Sequence, residues 1–412
     1  MMKENDIKTI FNQHKEPDNA AEVKAFATAD IARVRAFHQS FNGYRPTPLR
    51  KLICLAKSLG VAGFYVKDES YRFGLNAFKV LGGAYAIGKF LAERLQMDIA
   101  DLSFEMLRSP EIKQKLGEVT FVTATDGNHG RGVAWAAAQL GQKSVVYMPK
   151  GSSEERLRNI RKEGAQASIT DLNYDDAVRL AAEQARKNGW VVVQDTAWDG
   201  YYNIPLWIMQ GYATSAMEAC QQLSDFKVDR PTHVFLQAGV GSFAGAVQAF
   251  LVNAYPENPP KVIIVEPNAA DCLFRSAAAG DGKARFVGGE MNTIMAGLAC
   301  GEPNSIGWHV LRRHSELFLS CPDWVAARGM RVLGNPVGDD VRVISGESGA
   351  VTTGAASLMA TLPSLSPVRQ KLGLDQNAQV LVFSTEGDTD SKKYRSIVWD
   401  GAYPSPSDEE EK

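Results

Sequence analysis

Val119-Thr120-Phe121-Val122-Thr123 leads into Thr125-Asp126-Gly127-Asn128-His129-Gly130-Arg131-Gly132, and that turn into Val133-Ala134-Trp135-Ala136-Ala137-Ala138. An apolar β-branched run, a glycine-rich turn and a helix-forming stretch, in that order, are the repeating unit of an α/β protein with a mainly parallel sheet. The same alternation continues outward. Strand-like runs recur at 144–148, 190–194, 232–236, 262–265 and 380–383, and helical stretches lie at 154–163 and 174–187. The expectation is an α/β fold with two open, mainly parallel sheets flanked by helices. Residues 83–197 carry the first three strands and read as a small inserted α/β domain. Residues 1–82 and 198–404 read as one discontinuous large domain. The segment before about Asn42 is polar and helical, and 405–412 reads as a solvated, disordered acidic tail.

Composition narrows the function. The chain has 412 residues, 45% of them apolar and 22% charged, with a net charge of −2. That balance gives no electrostatic footprint for nucleic acid. No apolar run is long enough to span a bilayer, and residues 1–6 carry no apolar signal region, so a cytoplasmic protein is expected. The five cysteines are widely spaced without a C-x-x-C pair, which predicts reduced thiols and no metal site, with a regulatory disulfide between Cys272 and Cys300 as the open alternative.

Asn76-Ala77-Phe78-Lys79-Val80-Leu81-Gly82-Gly83 places a lysine where a helix begins, since Val80, Leu81, Ala84, Ile87, Phe90, Leu91 and Leu95 follow at helical spacing. Asn76 is expected to cap that helix. The positive end of the helix dipole and burial between Phe78 and Val80 both oppose the charge on Lys79. A neutral amine is what Schiff-base chemistry with a carbonyl requires.

Four loops after strands add to this. In the opening stretch, Asn128 offers a donor and an acceptor, Thr125 stands beside it as a substrate contact, and Asp126 can accept a proton from a substrate carbon. Gln237-Ala238-Gly239-Val240-Gly241-Ser242-Phe243-Ala244-Gly245 is a phosphate cradle, in which glycines admit an anion to the backbone N–H groups and Ser242 adds a hydroxyl. Glu266, ending the next strand, keeps a nicotinamide-dependent oxidoreductase open on this segment, because a dinucleotide fold places its ribose carboxylate there. Phe383-Ser384-Thr385-Glu386-Gly387-Asp388 brings a hydroxyl past the last strand, where Ser384 or Thr385 can meet a ring nitrogen. Ser345-Gly346-Glu347-Ser348-Gly349-Ala350 opens a helix.

Taken together, an N-x-F-K lysine, a G-N-H loop, a glycine-rich phosphate loop and a late hydroxyl loop resemble the fold type II pyridoxal-phosphate enzymes, the group of tryptophan synthase β-subunits and serine/threonine dehydratases. The resemblance covers nearly the whole chain. Within that family, Phe73 to Lys79, Thr125 to Gly132 and Met295 to Pro303 are similar to the branch of ammonia-lyases that act on 2,3-diaminopropionate. The resemblance implies pyridoxal 5'-phosphate in a cleft between domains, a homodimer, and α,β-elimination of both D- and L-2,3-diaminopropionate to pyruvate and two ammonia. Lys79 would then hold the cofactor, and Asn128 its ring oxygen. The N–H groups of Gly239, Val240, Gly241 and Ser242 would hold the phosphate, and Thr385 the pyridine nitrogen. Dehydratases of the family usually carry a small residue where this chain has Asp126. That carboxylate and Asp195, after the 190–194 strand, are the expected bases on opposite faces of a planar intermediate. A serine/threonine dehydratase or a cysteine-synthase-like β-replacement enzyme shares the cofactor and differs in substrate.

Overall fold

The structure, a computed structural model, describes residues 7–16, 23–125 and 127–406. Asp126 and the tail from Ser407 onward lie outside the described residues. Among the described residues eleven strands form two sheets. They are β1 (Lys8–Phe11), β2 (Leu49–Lys51), β3 (Gly63–Asp68), β4 (Thr120–Ala124), β5 (Lys143–Met148), β6 (Gln166–Ile169), β7 (Val191–Val192), β8 (His233–Gln237), β9 (Lys261–Pro267), β10 (Leu317–Cys321) and β11 (Gln379–Ser384). The larger sheet has the order β1-β10-β9-β8-β11-β3-β2, and the smaller the order β6-β5-β4-β7. Only the edge strands β1 and β2 run antiparallel to their neighbours. The expected pair of mainly parallel sheets is present.

The runs read from the sequence do not include β1, β2, β3, β6 or β10, and β7 is shorter than its run; β3 and β7 depart for identifiable reasons. β3, one strand in from the sheet edge, is wholly buried, yet it ends in Lys67 and Asp68, charges that interrupt the apolar pattern of a buried strand. Lys67 is tolerated there because its ammonium donates to Thr47 O at 2.6 Å, to Gln222 Oε1 at 2.9 Å and to Glu218 Oε2 at 2.7 Å. β7 is shorter than the expected 190–194, because the Gln194 side chain takes over the ladder. Its Oε1 accepts from Ala124 N–H at 3.2 Å and from the Thr123 hydroxyl at 2.9 Å. The N-terminal segment, expected to be helical, contributes β1 as well as the Thr28–Gln39 helix.

The Val80–Leu95 helix forms as its spacing predicts and is buried on nearly every side. Burial of side chains such as Leu81, Ile87 and Leu91 contributes about 1.5–3 kcal/mol each. Close packing all round requires glycine at the crossings. A Cβ on Gly211, in the Asn203–Asp225 helix, would sit 2.4 Å from Leu81 O. One on Gly132, in the Asn128–Gln139 helix, would sit 2.8 Å from both N and Cα of Val80. The glycines after Asn128 thus serve helix packing as well as the turn.

A buried ionic cluster anchors the approach to Lys79. Arg72 donates to Glu69 Oε1 at 2.9 Å and to Glu218 Oε2 at 2.7 Å, and all three side chains are buried. Glu218 belongs to the Asn203–Asp225 helix, so the end of β3 and the loop before Lys79 are tied to the helix that packs on Lys79's own. Such a cluster tolerates the loss of no single member, since each charge left unpaired would be desolvated.

Candidate active site

β4, β8 and β11 all deliver residues at or just past their C-terminal ends to one cleft, as open parallel sheets do. Lys79, Thr125, Asn128, Asp195, Gly239 to Ser242 and Thr385 all line the cleft. The described residues that the pyridoxal-phosphate resemblance implies therefore meet in one place, whereas Ser384, the alternative to Thr385, does not line it. No group of three His, Cys, Asp or Glu among the described residues is arranged to hold a metal ion.

Lys79 stands immediately before the first turn of the Val80–Leu95 helix. Its ammonium donates to Asp195 Oδ2 at 2.8 Å. The amine expected to be desolvated between apolar neighbours thus has a counter-ion. Asp195 is buried, which raises its proton affinity, but Lys79 and then His129 outweigh that and bring the carboxyl down to about 2. His129 Nδ1 is 3.9 Å from Asp195 Oδ2, and its Nε2 is 2.8 Å from Val193 O.

Asn76 does not cap the helix. Its φ of +58° turns the chain, and its side-chain amide donates to Asp388 Oδ1 at 3.2 Å. The chain is held instead by Phe78 N–H donating to Thr385 O at 3.0 Å, a link from the lysine's neighbour to the loop after β11.

The glycine loop fits an anion. Among the described residues, none of the four N–H groups of Gly239 to Ser242 donates to a protein acceptor. Gly241 has φ +92°, open to glycine at little cost. A Cβ on Gly239 would approach Leu298 Cα to 3.2 Å, so the loop has little room for a side chain there. Ser242 heads the Ser242–Ala254 helix, whose dipole favours a negative group. Its hydroxyl, however, is not free for the anion. It donates to Asp195 O at 2.5 Å and accepts from Asn304 Nδ2 at 2.7 Å. Ser242 thereby links the anion loop to the base of Asp195, and only its N–H remains for the phosphate.

Asn128 is the first residue of its helix, and its amide donates to Glu386 Oε2. One amide hydrogen and the carbonyl oxygen stay available to a ligand. Thr125 Oγ1 accepts from Gly127 N–H at 3.0 Å, which leaves its proton to donate. Thr385 accepts from Gln237 Nε2 at 2.8 Å. Amine, orphaned N–H cradle and hydroxyl together fit an aldehyde-bearing phosphorylated pyridine.

The sequence reading gave no role to Glu386, Gln237, His129 or Asn304. All four stand in or directly beside quoted stretches, Asn304 just after Met295 to Pro303, and that adjacency was the available signal. The link from Asn304 to Ser242 spans 62 residues and has no local signature. Glu266 is corrected. It is fully buried, and its oxygens accept from Leu273 N–H at 2.8 Å and Phe274 N–H at 2.6 Å. A carboxylate holding the start of the Cys272–Ala279 helix is not available to a ribose, which removes the observation behind the nicotinamide reading.

The family of pyridoxal-phosphate dependent enzymes matches residues 41–369. The diaminopropionate ammonia-lyase of Escherichia coli K12 is 56% identical over 379 residues, covering 92% of this chain and 93% of that protein. A holo crystal structure of diaminopropionate ammonia-lyase from Escherichia coli superposes with a TM-score of 0.91 at 52% identity, over 98% of this chain and 99% of that one. A structure of diaminopropionate ammonia-lyase from Escherichia coli with an aminoacrylate–pyridoxal-phosphate azomethine reaction intermediate superposes with a TM-score of 0.88 at 52% identity, over 97% and 98%.

Proposed function

This chain belongs to the diaminopropionate ammonia-lyases, within the family of pyridoxal-phosphate dependent enzymes, and from that premise we propose that it eliminates one ammonia from both D- and L-2,3-diaminopropionate, after which water hydrolyses the released aminoacrylate to pyruvate and a second ammonia. The observation that carries this reading is the Lys79 amine facing the Asp195 carboxylate in a cleft that also holds four unspent N–H groups.

Bound pyridoxal phosphate supplies the electron sink for the α-carbon. The residues around it do the rest. Lys79 holds the aldehyde carbon. The N–H groups of Gly239, Val240, Gly241 and Ser242 hold the phosphate, Asn128 the ring oxygen and Thr385 the ring nitrogen. Thr125 and Asn128 are placed to meet the substrate carboxylate.

Proton transfer follows from the Lys79–Asp195 pair. While the ammonium faces it, Asp195 is a weak base. Were the Lys79 nitrogen uncharged, burial, the largest influence on Asp195, would raise the proton affinity of that carboxylate. Asp195, or Lys79 once released, takes the α-proton of one enantiomer. Asp126, whose neighbours Thr125 and Asn128 line the cleft, takes it from the other.

Three coarser features complete the reading. Residues 83–197 act as the small domain against the remainder, the protein is a homodimer, and it works in the cytoplasm. Among the described residues no helix is long and apolar enough to cross a membrane.

The decisive experiment is pyruvate formation by the cofactor-loaded protein from D- and L-2,3-diaminopropionate, with L-serine, D-serine and L-threonine in parallel. Release from both diaminopropionate enantiomers supports the reading. Activity on L-serine or L-threonine alone moves the enzyme to the dehydratases.

A further inference from the structure

β8 and β11 are hydrogen-bonded neighbours as far as the pair Val382 and Phe235. Beyond it they part, and Ala238 N–H turns to Val265 O on the other side. The Gln237 side chain fills the gap. It is buried, and its Nε2 donates to Phe383 O at 2.9 Å and to Thr385 Oγ1 at 2.8 Å.

The direction of these bonds is set by chemistry. A backbone carbonyl only accepts, so the amide nitrogen and not the oxygen must face Phe383 O. Turning the amide over would set two carbonyl oxygens against each other at hydrogen-bond distance. Both hydrogens of the amide nitrogen are then spent, one on Phe383 O and one on Thr385 Oγ1. A hydroxyl that accepts from the amide cannot also point its own proton at that nitrogen. Thr385 is buried and lines the cleft, and among the described residues no protein acceptor takes its proton.

We infer that Gln237 is a positioning residue that fixes the Thr385 hydroxyl as a donor into the cleft and thereby keeps the pyridine nitrogen of the cofactor unprotonated. The inference rests on the reading of Thr385 as the partner of that nitrogen. A nitrogen that meets a donated proton must offer its lone pair. An acceptor in the same place would instead stabilise the pyridinium. The unprotonated ring is the weaker electron sink, which favours expulsion of the β-amino group over transamination.

The test is the nitrogen-15 chemical shift of ring-labelled pyridoxal phosphate in the holoenzyme, for wild type and Gln237→Glu. Glutamate keeps the shape but offers an acceptor to the Thr385 hydroxyl. The wild-type shift is expected to be that of an unprotonated pyridine, and Gln237→Glu is expected to move it toward the pyridinium value. A side chain that merely staples β8 to β11 would leave the shift unchanged. A folded, cofactor-loaded Gln237→Glu with the wild-type shift, or a protonated nitrogen in the wild type, overturns the inference. Gln237→Met, which cannot donate, guards against misfolding of the first variant. It frees the hydroxyl to rotate, and the ring nitrogen should then titrate where the wild type does not. A wild-type protein that binds no cofactor at all rejects the functional reading itself, and this inference with it.

Discussion

The Lys79 ammonium and the Asp195 carboxylate meet at 2.8 Å, one at the start of a buried helix and the other just past the shortest strand of the small sheet. The two side chains share a proton economy. Lys79 is about one-fifth exposed and Asp195 is buried, so the lysine is reachable by a carbonyl while the carboxylate depends on it for charge compensation. The carboxyl sits at about 2, below its ordinary 3.8, so the pair contributes stability above pH 3.8 and loses it as the pH falls through 2.

Lys79→Ala should lower turnover by about a thousandfold or more and remove the visible absorption band of the bound cofactor. In the apoprotein it should also cost about 1–3 kcal/mol, less than for a fully buried pair because Lys79 is partly exposed. Asp195→Asn added to Lys79→Ala should recover part of that loss by removing the uncompensated charge. Urea unfolding of the apoproteins measures both effects. Identical midpoints for the single and double variants would show that the two residues are not coupled.

What the sequence could reveal here depended on whether a feature was local. β4, its glycine turn and the helix after it were legible because apolar β-branched residues, glycines and alanines sit in one continuous stretch. The same holds for Lys79 and for the loop at 239–242. β3 was hidden because its buried Lys67 is satisfied by Glu218, 151 residues away. The contact between Asn128 and Glu386 joins the loops after β4 and β11 across 258 residues, and no periodicity encodes it. Asn76 misled because a left-handed backbone and a distant acceptor, Asp388, outweigh its capping propensity.

Gly132→Ala tests how the Lys79 helix is positioned. The added methyl would meet backbone atoms, Val80 N and Cα at 2.8 Å and Lys79 C at 3.1 Å, which cannot rotate aside. Overpacking of this kind costs about 1–3 kcal/mol. The helix should shift and carry the amine with it, so cofactor affinity should fall along with stability. Absorption titration with pyridoxal phosphate and the urea midpoint read the two effects. An unchanged midpoint would mean the crossing is looser than these distances require.

Glu347 predicts a pH-dependent stability. Burial first, and Glu386 second, push its carboxyl up to about 7, with Lys393 only 3.8 Å away in partial compensation. The unfolded chain ionises this group near 4.5, while the folded chain keeps its proton. Stability therefore falls as the pH rises from 4.5 to 7, and the full penalty applies above 7. Glu347→Gln should raise the melting temperature above pH 7, by on the order of 2 °C, and leave it unchanged below pH 4.5. A rise of equal size at both ends would assign the effect to packing and not to charge.

Asp195→Asn and Asp126→Asn separate the two proposed faces of proton abstraction. Each variant should lose about 10²- to 10⁴-fold in kcat on one enantiomer of 2,3-diaminopropionate. Asp195→Asn keeps a hydrogen-bond acceptor for the Lys79 amine, so cofactor binding should survive and the loss should appear in kcat before KM. The freed lysine offers a second base on its own side of the ring, which makes the Asp195 loss the smaller of the two. Parallel progress curves with the D- and L-substrates decide the matter. Equal losses on both enantiomers from either variant would show that the carboxylate acts on a step common to both, such as protonation of the departing β-amino group, and would end the two-base assignment.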